Sequence, residues 1–378
     1  MTLLTERNVQ LDDTLDKIAE SLALTEEQWR RMESSYKTLY DWLKNDDGYF
    51  KRTEFEVYPQ GSVRIGTAIK PFKREDFDLD LVIHLLDFEQ GLLPLIVFNR
   101  LKRRLEENPA YKGKLESKNR CMRINAASDY HMDVLPGCQL YEWDKNRIRI
   151  PDRALDLWVL SNPRGYAEWF LGRVNLVKET LLERALKQEK ISKSVFMGKP
   201  LQRAVQLIKR FRDIYFEHSE HKDYATSSIV LTTIFASYYT GEDSIFEAMD
   251  RILEGIRTHV LASPIGRLKV LNPVDANEDF TDRWEREPKF YEAFKAFSLH
   301  VYQQWQVLKG QPGMLTESRA LSLLAGDAPV QTVFRNQADQ VSALQKAGLL
   351  NVNTRTGNIT STTSAFSTPV KRNTFYGA

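Results

Sequence analysis

Between Phe77 and Leu85 the chain reads FDLDLVIHL, and its alternation is strict. Phe77, Leu79, Leu81, Ile83 and Leu85 fall on one face of a strand, while Asp78, Asp80, Val82 and His84 fall on the other. Two carboxylates therefore point the same way from what reads as a buried strand. Their repulsion is costly unless something cationic sits between them. Asp76 and Asp78 form an equally spaced pair, but Asp78 and Asp80 adjoin the aliphatic run, whereas Asp76 would sit at the exposed strand mouth.

The strand has neighbours of both kinds. Ahead of it, TEEQWRRMESSYKTLYDWLK opens with Thr25 and Gln28 in capping-box spacing and lines up Trp29, Met32, Tyr36, Leu39 and Leu43 as one helical face. TEFEVYPQGS then reads as a half-buried strand running into a turn at Pro59. After it come a helix around LIVFNRLKRRLEEN and two further segments, KLESKNRCMRINAA and DYHMDVLPG, each read as one strand. Beyond Pro151 the periodicity becomes helical, in LQRAVQLIKRFRDIYF, SSIVLTTIFASYY, DSIFEAMDRILEGIRTHV and WEREPKFYEAFKAFSLHVYQQW. A mixed α+β amino half is thus joined to a helical carboxyl half. At 378 residues, 42% of them hydrophobic, two structural lobes are expected. The last stretch, from Asn351 to Ala378, is rich in Asn, Ser and Thr and reads as a mobile tail.

Composition narrows the function classes. A net charge of +2, from 53 basic and 51 acidic residues, supplies no global field, so a phosphate-bearing partner must be gripped locally. The basic runs LKRRL and KNRIR read as solvated faces and do not by themselves indicate a nucleic-acid groove. Cys121 and Cys138 show no metal or disulfide spacing, which fits a reducing cytoplasm. The apolar stretches are too short or too polar to span a bilayer, and the amino terminus lacks an apolar signal core.

Gly61 and Ser62 follow the strand that ends at Pro59, and Asp133 lies on a later strand. Small residues at such a turn let backbone N–H groups and a hydroxyl approach phosphate oxygens. Three carboxylates on neighbouring strands can hold two magnesium ions roughly 3.5–4 Å apart, an arrangement that activates a hydroxyl and stabilises a leaving phosphate. On the helix LQRAVQLIKRFRD, Lys209 shares a side with Gln202, Gln206 and Asp213, away from the apolar stripe. Ser228 near a helix start suits phosphate for a separate reason, the free N–H groups there. His84 and His131 lie on the acid-bearing faces of their strands and read as cleft-lining or hydrogen-bonded residues, since magnesium prefers oxygen ligands.

GS, then DFDLDLVIHL, then YHMDVLP resembles the signature of the polymerase-beta-like nucleotidyltransferase superfamily. NPRGYAEWF, LQRAVQLIKRFRD, SSIVLTTIFA and NPVDANEDFTDRW resemble its cGAS/DncV-like branch, the CD-NTases of bacterial CBASS anti-phage systems. The likeness runs from about Phe55 to Trp284. It implies a bilobal fold, with a catalytic lobe over residues 1–150 and a helical lobe over 151–350 that completes a nucleotide cleft. It also implies magnesium-dependent joining of nucleoside triphosphates, ATP and GTP among them, into a cyclic oligonucleotide messenger with release of pyrophosphate. Carried over by position, Asp78 and Asp80 would ligate both metals and Asp133 would complete the site where an acceptor hydroxyl is activated. Gly61, Ser62, Lys209 and Ser228 would hold the donor triphosphate, and Tyr166 or Trp169 could stack on a base. The product would act on a downstream effector, and an E1/E2-like enzyme would conjugate the carboxyl terminus at Ala378. The competing expectation is a non-cyclising nucleotidyltransferase acting on RNA, protein or a small molecule, with the same three aspartates.

Overall fold

A seven-stranded mixed sheet organises the amino half, and the strand with alternating aspartates lies inside it. The structure is a computed structural model that describes residues 6–72, 77–86, 91–127, 130–176, 198–261, 266–310, 313–353, 359–360 and 367–370. The chain opens with α1 (Glu6–Leu22), α2 (Glu26–Lys44) and the short α3 (Tyr49–Arg52), and enters the sheet at β1 (Phe55–Pro59). A helical turn, α4 (Gly61–Arg64), leads to β2 (Phe77–Leu85), and α5 (Pro94–Glu106) crosses back. Next come β3 (Leu115–Ser117), β4 (Met122–Ala127), β5 (Tyr130–Tyr141), β6 (Asp144–Asp152) and β7 (Leu157–Ser161). Then follow α6 (Pro163–Val174), α7 (Pro200–Glu217), α8 (Ser228–Tyr238) and α9 (Ile245–Ile256). A small hairpin of β8 (Leu271–Asn272) and β9 (Asp275–Asp279) precedes α10 (Asp282–Arg286), α11 (Lys289–Lys309), α12 (Met314–Ala325) and α13 (Asp327–Lys346). Three short strands, β10 (Asn351–Asn353), β11 (Ile359–Thr360) and β12 (Ser367–Pro369), close the description.

β2 pairs antiparallel with β1 and parallel with β5. Its aliphatic face works as its alternation predicts: Leu79, Leu81, Ile83 and Leu85 join a core with Met32, Leu39 and Leu43 of α2 and Val97, Phe98 and Leu101 of α5. The capping box starts α2, with the Gln28 amide N–H donating to the Thr25 hydroxyl and the Thr25 N–H to the Gln28 side chain. KLESKNRCMRINAA forms two strands rather than one. Lys118 N–H donates to Cys121 C=O, folding the segment into a hairpin of β3 on β4. β5 in turn runs on to Tyr141, through Pro136 and Gly137. Its antiparallel register with β4 ends at Val134, and that with β6 begins at Cys138. Pro136 sits in the gap between the two, where its missing N–H interrupts neither ladder.

The second core is helical, built from α6 to α9, α11, α12 and α13. α1 belongs to it as well, burying Leu11, Leu15, Ile18, Ala19 and Leu22 there. Since β6 and β7 also continue the sheet to Ser161, a division at residue 150 separates the chain in sequence and not in packing. Phe211 is almost completely buried near the middle of α7 in this core. Phe211→Ala should cost about 3–5 kcal/mol, the usual penalty for emptying a buried aromatic site, read as a lower denaturation midpoint with unchanged slope.

LKRRL is only partly a solvated face. Arg104 is buried, its guanidinium stacks 4.0 Å from the Trp42 ring centroid, and it donates to Trp42 C=O. The stretch expected as a mobile tail contains β10, β11 and β12, which pair as a small antiparallel sheet; Gly377 and Ala378 lie outside the described residues. Among the described residues, no helix is long and apolar enough to cross a membrane.

Candidate active site

The parallel register of β2 on β5 sets Asp80 beside Asp133 and Asp78 beside His131. Three carboxylates from two strands thus share one neighbourhood. On the other side of β5, Arg123 of β4 is paired with Asp133, and its guanidinium grips that carboxylate at 2.8 and 2.7 Å while also reaching Asp78 at 3.1 Å. Asp80 has no such partner among the described residues. Burial, with the like charges of Asp78 and Asp133 behind it, pushes its carboxyl up to about 7. This is the carboxylate with most to gain from a cation.

The Gly61–Ser62 turn packs directly on Asp80. Gln60 N–H donates to Asp80 C=O at 2.9 Å, and Gly61 has φ +59°, a left-handed conformation that glycine adopts freely. A Cβ at Gly61 would lie 2.5 Å from Asp80 Oδ2. The turn needs glycine on both counts.

Across from the strands, the polar side of α7 holds the segment that follows the turn. Gln202 donates to Ile65 C=O, Gln206 to Ala68 C=O, Lys209 to Thr67 C=O and Arg210 to Lys70 C=O, at 2.9, 3.3, 2.9 and 2.6 Å. The face on which the sequence placed Gln202, Gln206 and Lys209 is therefore a clamp between the helix and the segment after the Gly61–Ser62 turn. Burial, together with the nearby Arg212, pulls the Lys209 ammonium down to about 8. Arg212 donates to Ser228 Oγ at 2.6 Å and pairs with Asp213. Ser228 is the first residue of α8, and Ser227 precedes it as the cap.

A cavity of about 620 Å³ brings these groups together: Gly61, Ser62, Asp78, Asp80, Lys209, Arg212 and Ser228 all line it. Tyr166 lines it too, its hydroxyl 2.9 Å from Thr233 Oγ1, whereas Trp169 packs against the helical core. His84 departs from expectation. It is fully buried against Tyr58, lines no part of this cavity, and its imidazole is pushed down to about 4 by burial and Arg164. Burial, with Asp133 and Asp80 nearby, pushes the Cys121 thiol up to about 12, which disfavours the thiolate form. Arg123 and Arg212 were missed from the sequence because each stands in a basic stretch that resembles any solvated face.

Magnesium takes hard oxygen ligands, and Asp78 and Asp80 offer them at the cavity. Among the described residues no three His, Cys, Asp or Glu side chains are gathered as a metal-ligand group. The geometry gives the reason: Arg123 draws Asp133 and Asp78 to itself. The donor set fits a divalent cation at Asp78 and Asp80, while the Asp133 carboxylate is held by the Arg123 guanidinium.

Comparison with known proteins bears on this site. The model of the Second Messenger Oligonucleotide or Dinucleotide Synthetase domain matches residues 9–173. A Roseivirga ehrenbergii protein named c-di-GMP synthase is 37% identical over 379 residues, spanning 100% of both chains. Among solved structures, the Bradyrhizobium diazoefficiens CD-NTase CdnG in complex with GTP superposes with a TM-score of 0.69 at 20% identity, covering 87% of this chain and 99% of that one. Vibrio cholerae DncV in complex with a linear pppA(3′,5′)pG intermediate gives 0.52 at 17% identity, covering 85% and 86%. Those two likenesses establish the polymerase-beta-like fold. With a relative matched from end to end and the domain model lying over the strands of Asp78, Asp80 and Asp133, the chain belongs to the cGAS/DncV-like nucleotidyltransferases, which synthesise cyclic oligonucleotide second messengers.

Proposed function

We propose that this enzyme joins two molecules of GTP into a cyclic dinucleotide, with Asp78, Asp80 and Asp133 as its catalytic carboxylates. The observation that carries the reading is the single cavity in which Asp78 and Asp80 face Lys209, Arg212 and Ser228 across the Gly61–Ser62 turn. Guanine is supported by the name of the Roseivirga relative. Magnesium bound at Asp78 and Asp80 would neutralise the triphosphate and lower the pKa of the attacking hydroxyl.

The chain's own residues bind, orient and move protons. Ser62 Oγ and the N–H groups of its turn hold the donor phosphates from one side, with Lys209, Arg212 and Ser228 on the other. Asp133, once released from Arg123, receives the acceptor ribose hydroxyl and passes its proton to solvent. The ribose oxygen bonds to the α-phosphorus as the bond to the β-phosphate oxygen breaks, and pyrophosphate leaves. A second round closes the ring. Positioning and charge neutralisation supply most of the acceleration.

Lys209→Met keeps the stem's packing and removes an ammonium that burial disfavours, but leaves Thr67 C=O without its donor, so the fold should survive at a cost of about 1–3 kcal/mol. We expect Kd for a non-hydrolysable GTP analogue to rise roughly 10-fold or more, as a charge-assisted contact is lost. Wild-type nucleotide affinity should fall as pH rises through about 8, where Lys209 loses its proton, and this fall should be absent in the variant. Titration of a non-hydrolysable GTP analogue between pH 6.5 and 9.5 reads both.

Incubation of the purified protein with the four nucleoside triphosphates and magnesium, then phosphatase and mass spectrometry, tests the reaction itself. A phosphatase-resistant cyclic product made of guanylate is expected; linear products or a modified acceptor would instead establish a non-cyclising transferase. The same reading places the enzyme in the cytoplasm, in anti-phage signalling through a downstream effector, with E1/E2-like conjugation at Ala378 as its regulation. These rest on the family resemblance of the sequence.

A further inference from the structure

The cavity has a second polar group that the transfer chemistry does not use. Glu278 of β9 and Asn272 of β8 line it together, away from the three aspartates in sequence and on a different sheet. Asn272 is buried and bonded at both ends: its carbonyl oxygen accepts from Val274 N–H at 3.1 Å, and its amide donates to Glu278 Oε2 at 2.7 Å. One carboxylate oxygen is thereby fixed. Glu278 Oε1 has no hydrogen bond or ion pair among the described residues, and burial holds the carboxyl above its ordinary range. Arg120 lines the same cavity, with Nε anchored on the buried Asp152 at 3.0 Å and close enough for its charge to act on Glu278. Phe280 adds an aromatic wall, set edge-on to Tyr166.

We infer that Glu278 is the guanine-specifying residue of the cleft: held by Asn272, it accepts the N1–H and N2–H of a base lying along Phe280, while Arg120 donates to O6. The inference rests on the nucleotidyltransferase reading of this cavity and adds the residue that selects the base. Guanine alone among the four bases presents two adjacent N–H donors beside an acceptor on one edge. Adenine would set its N1 lone pair against the carboxylate and its N6 amino group against the guanidinium. Uracil and cytosine each lack one donor of the pair. A partly desolvated carboxylate left without those donors is penalised, and that penalty is the source of discrimination.

The bland role for Glu278 is a tie between β8 and β9. Glu278→Gln separates the two, because an amide oxygen still accepts from Asn272 while the other oxygen becomes a donor. Non-hydrolysable analogues of GTP, ATP and inosine triphosphate, the last lacking only the N2 amino group, would be titrated with magnesium into both proteins, and products made from equimolar GTP and ATP analysed. The wild type should prefer the guanine analogue over adenine by on the order of 100-fold and over inosine by about 10-fold. Both preferences should collapse in E278Q at a melting temperature no lower than that of the wild type. Equal preferences in the two proteins overturn the inference, as does a wild-type product built only from adenylate, which leaves the cyclase reading intact. Guanine preference lost in E278Q with no cyclic product at all supports the inference and overturns the cyclase reading. If E278Q fails to fold, a wild-type GTP-to-inosine ratio near one overturns it and a ratio near ten supports it.

Discussion

Asp80→Asn is expected to abolish synthesis and to leave a protein more stable than the wild type in metal-free buffer. Loss of activity should reach roughly 10³-fold or more, the scale set by removing a group that stabilises charge in the transition state. The gain in stability has a separate origin. The folded carboxyl titrates at about 7 against an ordinary 3.8, so between those values the folded chain binds more protons than the unfolded one. Stability must then decline as pH rises through that window, and the penalty is complete above about pH 7. Asparagine carries no such penalty. The difference in melting temperature between the two proteins should be near its minimum below pH 4 and grow to on the order of 5 °C or more by pH 8. A difference that stays flat with pH would mean that Asp80 is not the strained carboxylate described.

Gly61→Ala should disable the enzyme almost as thoroughly without removing any of the three carboxylates. The new methyl group meets Asp80 Oδ2 at 2.5 Å, and the backbone there sits at φ +59°. The left-handed conformation costs about 1–2 kcal/mol for a residue with a Cβ. Relief of the clash displaces either the turn or Asp80, and a shift of about 1 Å in such a site lowers turnover on the order of 100-fold. Gly91→Ala is the control. It has φ +84° and nothing within 4 Å of its new Cβ, so it carries the backbone strain alone and should retain activity. Steady-state rates of pyrophosphate release compare the two variants, and equal losses would trace the defect to strain elsewhere.

How much of this was legible beforehand depends on what each signal encodes. Period-two alternation fixed which side of β2 carries Asp78 and Asp80, because a strand face is a local property. It could not place Asp80 beside Asp133, since parallel register is set by distant packing. Helical periodicity likewise put Gln202, Gln206 and Lys209 on one side of α7, but did not show that they would clamp the carbonyls of Ile65, Ala68 and Thr67. α1 was not among the elements read from the sequence, and its docking in the helical core depends on partners far along the chain. Pro136 and Gly137 suggested a strand ending; the chain continues because β5 exchanges partners there. Arg123, Arg212 and Glu278 carried no local signal at all. A charged residue earns its role from what faces it, and that is a property of the folded chain.

The most direct measurement is a crystal structure of the protein with magnesium and a non-hydrolysable GTP analogue. The account predicts the triphosphate between Ser62 and the Lys209–Arg212–Ser228 side, metal on Asp78 and Asp80, and the Arg123 guanidinium released from Asp133. A nucleotide bound outside this cavity, or one bound within it while Arg123 still closes on Asp133 and Asp78, would contradict the assignment of these aspartates as the catalytic set.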